Sequence, residues 1–271
     1  MKKNKKSLHK IPGSFPQGIS NIFCICYPSH MNGTKKTALI TGGTGGLGKS
    51  LAVRLAGKGY RVAINFYKDS TGAKNLVAGL CGEAAAFQAD VGDIEQVRGM
   101  ARKIADRWGS RLHVLINCAG ITRDALLIKT GAASWDDVIR TNLTGPFNTI
   151  KTFAPMIMEA GGGHIINISS YSGMKGKKGQ ASYSASKAAL TGLTISAAAE
   201  LGRYNIRVNA VLPGFMPTRM GAEADGAIRK AKEDSFIGKL SDPDEAACFI
   251  ADLAEMNFVT GQVFPVESRV F

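Results

Sequence analysis

Short apolar runs alternate with longer helical stretches from residue 37 onward, and this alternation constrains the fold more than any other feature. Strands separated by helices of this length return in the same direction, which predicts a parallel sheet covered on both faces. We therefore expect an α/β fold, a single Rossmann-like, doubly wound domain with a seven-stranded parallel sheet. The predicted strands are Thr37–Thr41, Arg61–Asn65, Ala85–Ala89, Val114–Asn117, His164–Ser169, Arg207–Leu212 and Gln262–Val266. The predicted helices are Leu47–Lys58, Ile94–Trp108, Trp135–Glu159, Ser184–Tyr204 and Pro243–Glu255.

We expect the domain to span residues 34–271, because the residues before it lack any helical or strand period. For residues 1–33 we predict a disordered tail, or a start codon assigned too early. In the second case Met31 would be the natural start of the fold. The apolar patch Ile19–Tyr27 is too short and too interrupted for a secretory signal. No run approaches the roughly 18 consecutive apolar residues that a membrane span needs. We expect a cytoplasmic protein without membrane association.

The net charge of +13 is unevenly distributed along the chain. Residues 1–36 contain seven lysines and no acidic residue, which leaves +6 for the rest. That remainder suits an enzyme with phosphorylated or acidic ligands and does not require a nucleic-acid partner. The five cysteines form no Cys-x-x-Cys pair, so we expect free thiols and no metal site.

A glycine-rich turn, Thr41-Gly42-Gly-Thr-Gly-Gly-Leu-Gly48, follows the first predicted strand and opens directly into a helix. Glycines let backbone N–H groups approach a pyrophosphate, which the positive helix end also attracts. No Gly-Lys-Ser/Thr sequence ends the turn, so a P-loop for ATP hydrolysis is disfavoured. The expected dinucleotide ligands here are Gly42, Thr44, Gly45, Gly46, Leu47 and Gly48.

The residues that follow the second strand bear on the choice between NAD and NADP. An acidic residue at the strand end would bind the free ribose hydroxyls and repel a 2′-phosphate. Here the strand end is neutral, with Lys68 close behind and Asp69 as a complication. We predict NADPH/NADP+ rather than NAD(H), with Lys68 and Ser70 near the phosphate.

Tyr183 and Lys187 are four residues apart, which places them on one face of a helix. A nearby cation lowers the pKa of a phenol, so the pair suits proton exchange with a carbonyl or alcohol oxygen. Ser170 ends a predicted strand at the carboxyl edge of the sheet, where doubly wound folds bind ligands. Asn142 lies in a predicted helix although its amide has no propensity reason to be there.

Together these motifs resemble the short-chain dehydrogenase/reductase family from about Thr37 to the C-terminus. The resemblance implies that Tyr183 is the general acid, Ser170 binds the substrate carbonyl, and Lys187 binds the ribose and lowers the pKa of Tyr183. It implies that Asn142 holds a water-linked proton relay and that Asp90 and Val91 contact the adenine. The remaining dinucleotide ligands that it implies are Asn117, Ala119, Gly120, Tyr183, Lys187, Pro213, Gly214, Met216 and Thr218.

Within the family, the segments Ile121–Asp124 and Gly179–Tyr183 resemble β-ketoacyl-ACP reductases and acetoacetyl-CoA reductases. The implied substrate is a 3-oxoacyl thioester on CoA or acyl carrier protein, contacted by Ser170, Gln180, Tyr183 and Phe215. Candidates for binding the acidic carrier are Arg123, Lys175, Lys177, Lys178, Arg203 and Arg219. The family also implies a homo-oligomer, dimer or tetramer, formed through the helices at 135–159 and 184–204.

Two alternatives stay open at this point. The substrate loop Phe215–Ser235 does not reveal its chemistry, so a dehydrogenase of sugars, polyols or other secondary alcohols fits as well. A non-catalytic dinucleotide-binding regulator is the alternative of another class, although Ser170, Tyr183 and Lys187 are all present. The chain also departs from its relatives at the end, where Val266-Glu-Ser-Arg-Val-Phe271 replaces their Asp-Gly-Gly.

Overall fold

The computed structural model describes residues 35–218 and 225–269 of the 271-residue chain. The predicted tail at 1–33 lies outside this range, so its disorder stays a prediction. The strands are β1 Thr37–Thr41, β2 Arg61–Phe66, β3 Ala84–Gln88, β4 Val114–Asn117, β5 Gly163–Ile168, β6 Ile206–Pro213 and β7 Val263–Val266. The helices are α1 Gly46–Gly57, α2 Ser70–Gly79, α3 Ile94–Trp108, α4 Ala132–Ile139, α5 Gly145–Glu159, α6 Ser172–Lys175, α7 Ala181–Leu201, α8 Asp225–Glu233 and α9 Pro243–Leu253.

The predicted α/β fold is confirmed, with one seven-stranded sheet in the order β3-β2-β1-β4-β5-β6-β7. Every strand pair is parallel, and Ile40 of β1 lies between Ile64 of β2 and Ile116 of β4. The strand order reverses between β1 and β4, because the chain first builds outward to β3 and then returns. Such a reversal opens a crevice at the carboxyl ends of the strands, where ligands bind in folds of this type.

Helices cover both faces of the sheet, as continuous apolar strands require. On one face Leu51 and Leu55 of α1 pack with Ile250 of α9. On the other face Ile104 of α3 and Phe153 of α5 pack under the sheet with Ala197 of α7. Both clusters are almost fully buried, so the sheet is a rigid base for the side chains at its carboxyl edge.

The predicted helix Trp135–Glu159 is wrong as a single element. Helix α4 begins three residues earlier and ends at Ile139, and a π-helical turn at Arg140–Thr144 separates it from α5. A π turn adds one residue to the helical repeat, and such turns are frequent at functional sites. The period of the apolar residues across 135–159 conceals the extra residue.

Three further helices in the described part of the chain were not predicted, α2, the four-residue α6 and α8. Helix α2 is capped by Asp69, whose Oδ1 accepts a hydrogen bond from the Gly72 N–H at 2.9 Å. Two glycines in ten residues give this segment low helix propensity, which explains why the sequence pattern missed it. Helix α8 lies inside the predicted substrate loop Phe215–Ser235.

Among the cysteines in the described residues, the expectation of free thiols is wrong at Cys81. Cys118 and Cys248 are free, whereas Cys81 is disulfide-bonded. Across the described part of the chain, no helix combines the length and apolar character needed to cross a membrane.

Candidate active site

The glycine turn after β1 is tight enough to exclude side chains at several positions. Gly42 has φ +62°, and a Cβ there would lie 2.7 Å from the Ala119 Cα. A Cβ on Gly48 would lie 2.5 Å from the Gly42 carbonyl oxygen. The Gly42 N–H donates to Asn65 Oδ1 at 3.3 Å, so the buried end of β2 holds the turn. Sequence reasoning missed Asn65, although a polar residue that ends an apolar strand is a readable signal.

The start of α1 fits the pyrophosphate of a dinucleotide. Gly45 precedes the helix without a side-chain cap, and the first turn contains no acidic residue. Its N–H groups therefore face no competing carboxylate or hydroxyl, and they favour an anion. A Cβ on Gly46 would lie 2.4 Å from Thr218 Cγ2, so the segment after β6 closes against this turn. Thr44 is partly exposed, while Leu47 and Gly48 are buried and seat the helix on the sheet.

The end of β2 presents Lys68 and Ser70 on the surface, next to the glycine turn that Asn65 holds. Lys68 Nζ lies 5.2 Å from the centre of the Tyr67 ring. Asp69, the complication for the cofactor choice, uses its carboxylate to cap α2. The carboxylate nearest Lys68 in sequence therefore caps a helix.

Asp90 and Val91 are both held by residues that sequence reasoning missed. Arg140 Nη1 donates to Asp90 Oδ2 at 2.6 Å, and the Gly92 N–H donates to Asp90 Oδ1 at 2.9 Å. Asn148 Nδ2 donates to the Val91 carbonyl at 3.0 Å. The π turn and the start of α5 thus fix the loop after β3. That Asp90 and Val91 contact an adenine stays a prediction.

Asn117 directs its side chain inward, away from the crevice. It donates to Asn167 Oδ1 at 2.8 Å and accepts from Thr149 Oγ1 at 2.6 Å. Asn167 in turn donates to Thr194 Oγ1 at 2.9 Å. The four buried side chains form a polar chain, Thr149–Asn117–Asn167–Thr194, that joins α5, β4, β5 and α7. Asn117 therefore supports the site through its neighbours.

The turn after Asn117 lies directly beside the glycine turn. Thr41 Oγ1 accepts hydrogen bonds from the N–H groups of Cys118 at 3.0 Å and Ala119 at 3.1 Å. A Cβ on Gly120 would lie 3.4 Å from Asn142 Oδ1 and 3.6 Å from Lys187 Nζ. The absence of a side chain at Gly120 leaves room for both functional groups.

Asn142 occupies the π turn and is completely buried. Its Oδ1 accepts from the Ile121 N–H at 2.8 Å, and its Nδ2 donates to the Ile121 carbonyl at 2.9 Å and to Ser186 Oγ at 3.1 Å. Asn142 thus pairs with the backbone of the loop after β4 and with the helix that bears Tyr183. These bonds use both amide hydrogens, which makes it a positioning residue; the water-linked relay stays a prediction.

Ser170, Tyr183 and Lys187 converge at the carboxyl edge of β5, as the sequence predicts. Ser170 lies close enough to Tyr183 for its hydroxyl to lower the pKa of the phenol. Lys187 is 4% exposed, and its Nζ donates to the Ile168 carbonyl at 2.7 Å. That Nζ lies 5.7 Å from the centre of the Tyr183 ring. Two hydroxyls and one ammonium therefore surround a single small volume.

Electrostatics at this cluster differ from the expectation that Lys187 lowers the pKa of Tyr183. Burial raises the pKa of Tyr183, the hydrogen bond from Ser170 lowers it, and the charge of Asp124 raises it, with a net increase. Burial also lowers the pKa of Lys187 to about 8. Desolvation is the largest cause of both shifts, because both groups are buried in the same low-dielectric space. The protonated phenol is the favoured form.

The segment after β6 completes the crevice. Pro213 and Gly214 are buried, the Thr218 N–H donates to the Met216 carbonyl at 2.8 Å, and Lys177 Nζ lies 5.9 Å from the centre of the Phe215 ring. The side chain of Gln180 is already engaged by its neighbours. Its Nε2 donates to Asp124 Oδ2 at 2.8 Å, and its Oε1 accepts from Ser172 Oγ at 3.2 Å.

The candidate carrier-binding cations separate in space. Lys175, Lys177 and Lys178 follow β5 on the crevice side. Arg203 lies beyond the far end of the 21-residue helix α7, roughly 30 Å from Tyr183 at 1.5 Å rise per residue, and is not part of this site. Arg219 lies outside the described residues. Within the described ranges, no three His, Cys, Asp or Glu residues are grouped to hold a metal ion.

Replacing Asn142 with Ala tests its positioning role. The change leaves the part-buried Ile121 N–H and carbonyl without their Asn142 partners, and we expect a loss of about 1–3 kcal/mol in the free energy of unfolding. Urea denaturation monitored by circular dichroism measures this loss. Asn75→Ala, on the exposed surface of α2, is the matched control and should change the free energy by less than about 0.5 kcal/mol. Equal stability of the two variants would contradict the assignment.

Comparison with known proteins agrees with this geometry. A family model described as short chain dehydrogenase matches residues 36–228. The chain is 39% identical over 245 residues to the 3-oxoacyl-(acyl-carrier-protein) reductase of Staphylococcus aureus (strain Mu50), covering 87% of this chain and 98% of that protein. It is 38% identical over 240 residues to the reductases of the same name from Synechocystis sp. and Thermotoga maritima, covering 86% of this chain and 96% of each. The chain therefore belongs to the short-chain dehydrogenase family and is an NAD(P)-dependent oxidoreductase.

Proposed function

We propose that the protein reduces a 3-oxoacyl thioester, carried on acyl carrier protein or CoA, to the 3-hydroxyacyl thioester with NADPH. One observation carries the proposal, the convergence of Ser170 and the buried Lys187 on Tyr183 at the carboxyl edge of β5. Two hydroxyl donors that share one small volume suit a carbonyl oxygen on which negative charge develops. The relatives from Staphylococcus aureus and Synechocystis sp. are 3-oxoacyl-(acyl-carrier-protein) reductases, and this similarity indicates the class of carbonyl compound.

The chain's own residues divide the work of carbonyl reduction. A bound nicotinamide dinucleotide supplies the hydride. Ser170 donates a hydrogen bond to the substrate carbonyl oxygen, and Tyr183 transfers its phenolic proton to that oxygen as charge grows there. The raised pKa of Tyr183 keeps this proton in place at neutral pH. Lys187, fixed by the Ile168 carbonyl, keeps a positive charge beside the ring below pH about 8.

The preference for NADPH rests on Lys68 and Ser70, which are exposed at the end of β2, while the Asp69 carboxylate between them accepts the Gly72 N–H and caps α2. Lys68→Glu should lower kcat/KM with NADPH by at least about tenfold and change kcat/KM with NADH less, because the new carboxylate repels a 2′-phosphate. Initial rates with each cofactor measure both values. Lys74→Glu makes the same charge change on the exposed surface of α2. This control should leave the ratio of kcat/KM with NADPH to kcat/KM with NADH near its wild-type value.

The carrier arm is proposed to enter past α6, where Lys175, Lys177 and Lys178 are exposed beside Phe215. Positive charge there suits the phosphates of CoA and the acidic surface of a carrier protein. Gln180 is proposed to act on the substrate through Ser172 and Asp124, which both bind its side chain.

The decisive experiment follows NADPH consumption with acetoacetyl-CoA, with NADH in parallel. Turnover with NADPH alone supports both the thioester and the cofactor proposals, and the acetoacetyl carrier-protein thioester then tests carrier choice. Protein that binds NADPH and turns over neither thioester would contradict the proposal. A panel of sugars, polyols and secondary alcohols would then identify the alternative dehydrogenase activity.

We also propose that the protein is a homo-oligomer formed through α5 and α7. These helices leave large apolar side chains in solvent, with Phe147 47% exposed and Ile195 50% exposed. A second copy that covers them would bury this surface. Light scattering should give a mass of at least twice the 28.7 kDa of one chain. A monomer at micromolar concentration would contradict this proposal.

A further inference from the structure

The segment after β7, Glu267–Arg269, lies against the turn after β6 and against Tyr171, the residue that follows Ser170. Glu267 packs on the turn after β6, because a Cβ on Gly214 would lie 2.7 Å from the Glu267 Cβ. Its side chain is 1% exposed, and its Oε2 pairs with Arg269 Nε at 2.5 Å. The Arg269 side chain is 17% exposed. A largely buried ion pair thus lies beside the turn after β6.

The ion pair delivers the Arg269 guanidinium to Tyr171. The guanidinium carbon lies 4.4 Å from the centre of the Tyr171 ring, close enough for a stacked cation–π contact. Tyr171 directly follows Ser170, so the orientation of this ring is coupled through one peptide to the catalytic hydroxyl. Tyr171 also lines a cavity of about 410 Å³ together with Lys175, Glu233, Asp234, Ser235 and Phe236.

The same segment anchors the end of the substrate loop. Ser235 and Arg269 form an antiparallel bridge, and the Phe236 N–H donates to the Ser268 carbonyl at 2.8 Å. The hydroxyls of Ser235 and Ser268 are 2.6 Å apart. Both walls of the cavity, Tyr171 on one side and the 235–236 turn on the other, therefore meet at Glu267–Arg269.

One acceptor in this arrangement is unusual. Glu267 Oε1 is buried without a hydrogen-bond partner in the described part of the chain. Burial raises the pKa of the Glu267 carboxyl, while the bond from Arg269 lowers it, with a net increase. A carboxylate held at this cost of desolvation indicates that its partner is kept in place for something other than stability.

We propose that Arg269, held by Glu267, is a positioning residue that fixes Tyr171 and thereby the acyl-thioester side of the active site. Its planar guanidinium lies over the ring while its Nε stays paired with Glu267, whereas the Lys175 Nζ lies farther from the same ring centre, at 5.7 Å. The inference rests on the proposed function only for the choice of substrate.

The test compares Arg269→Lys with Tyr171→Leu and with the double variant. Lysine keeps a positive charge opposite Glu267 but lacks the planar group that stacks on the ring. We expect each single variant to lower kcat/KM for acetoacetyl-CoA by about tenfold, with the Kd for NADPH changed by less than about twofold. The double variant should lose no more than either single one, because both remove one contact. Wild-type kinetics in Arg269→Lys, or additive losses, would overturn the proposal.

A second pair of measurements separates positioning from stability. Hydrogen exchange of the peptide at 170–176 needs no substrate and should be faster in Arg269→Lys, whatever carbonyl compound the enzyme reduces. Unchanged exchange would overturn the proposal even if the thioester assignment failed. Where Arg269→Lys lowers the melting temperature, the neutral pair Glu267→Gln/Arg269→Met replaces it. If that pair restores wild-type kinetics, Arg269 is only a counter-ion and the inference is wrong.

Discussion

Tyr183→Phe should lower kcat for carbonyl reduction by about 10³-fold, since general acid catalysis contributes roughly 10²–10⁴-fold and phenylalanine has no proton to give. The ring keeps its position on α7 and its packing against Lys187, so the Kd for NADPH should change by less than about threefold. Stopped-flow measurement of NADPH oxidation gives the first value, and fluorescence titration of NADPH gives the second.

The matched control is Tyr204→Phe, which removes an exposed hydroxyl beyond the far end of α7. This variant should retain wild-type kcat and melting temperature. Tyr183→Phe with more than about a tenth of wild-type kcat would show that another group donates the proton.

Lys187→Met should abolish most turnover and yet leave the ligand-free protein as stable as the wild type at pH 7.5. The variant loses the positive charge beside Tyr183 and the hydrogen bond to the Ile168 carbonyl. It also loses a buried ammonium whose pKa is lowered from 10.5 to about 8, a desolvation cost of about 3 kcal/mol. Removing this desolvation cost offsets the loss of the hydrogen bond, which contributes about 1–3 kcal/mol.

Lys187 also makes the free energy of unfolding depend on pH. Between pH about 8 and 10.5 Lys187 is neutral in the folded protein and charged in the unfolded one, so the unfolded state binds more protons. Wild-type stability should therefore rise relative to Lys187→Met by about 2 kcal/mol from pH 7.5 to 9.5. Urea denaturation of both proteins at both pH values measures the difference, in which the other titrations cancel. A constant difference would mean that Lys187 is not desolvated.

The sequence predicts most of the sheet because its strands are continuous apolar runs between glycines and polar caps. Val114–Asn117 and Thr37–Thr41 are confirmed to the residue. The convergence of Ser170, Tyr183 and Lys187 was also predictable, because Tyr183 and Lys187 share a helix face and Ser170 ends a strand. These positions follow from local spacing alone.

Contacts between distant segments were not predictable. Arg140 meets Asp90 only because the π turn rotates it across the loop after β3. Arg269 reaches Tyr171 from nearly a hundred residues away, through the fold of β7. The raised pKa of Tyr183 reflects how much water the folded site excludes, and no residue pattern encodes that quantity.

The polar chain of Thr149, Asn117, Asn167 and Thr194 also limits which substitutions this sequence can tolerate during evolution. Each member satisfies a neighbour that no water reaches, so an apolar replacement at one position strands a donor or acceptor at about 1–3 kcal/mol. Replacing adjacent members together removes donor and acceptor at once and costs far less. Natural variants should therefore exchange these residues in pairs, which makes the interior beneath the active site slower to diverge than the apolar core around it.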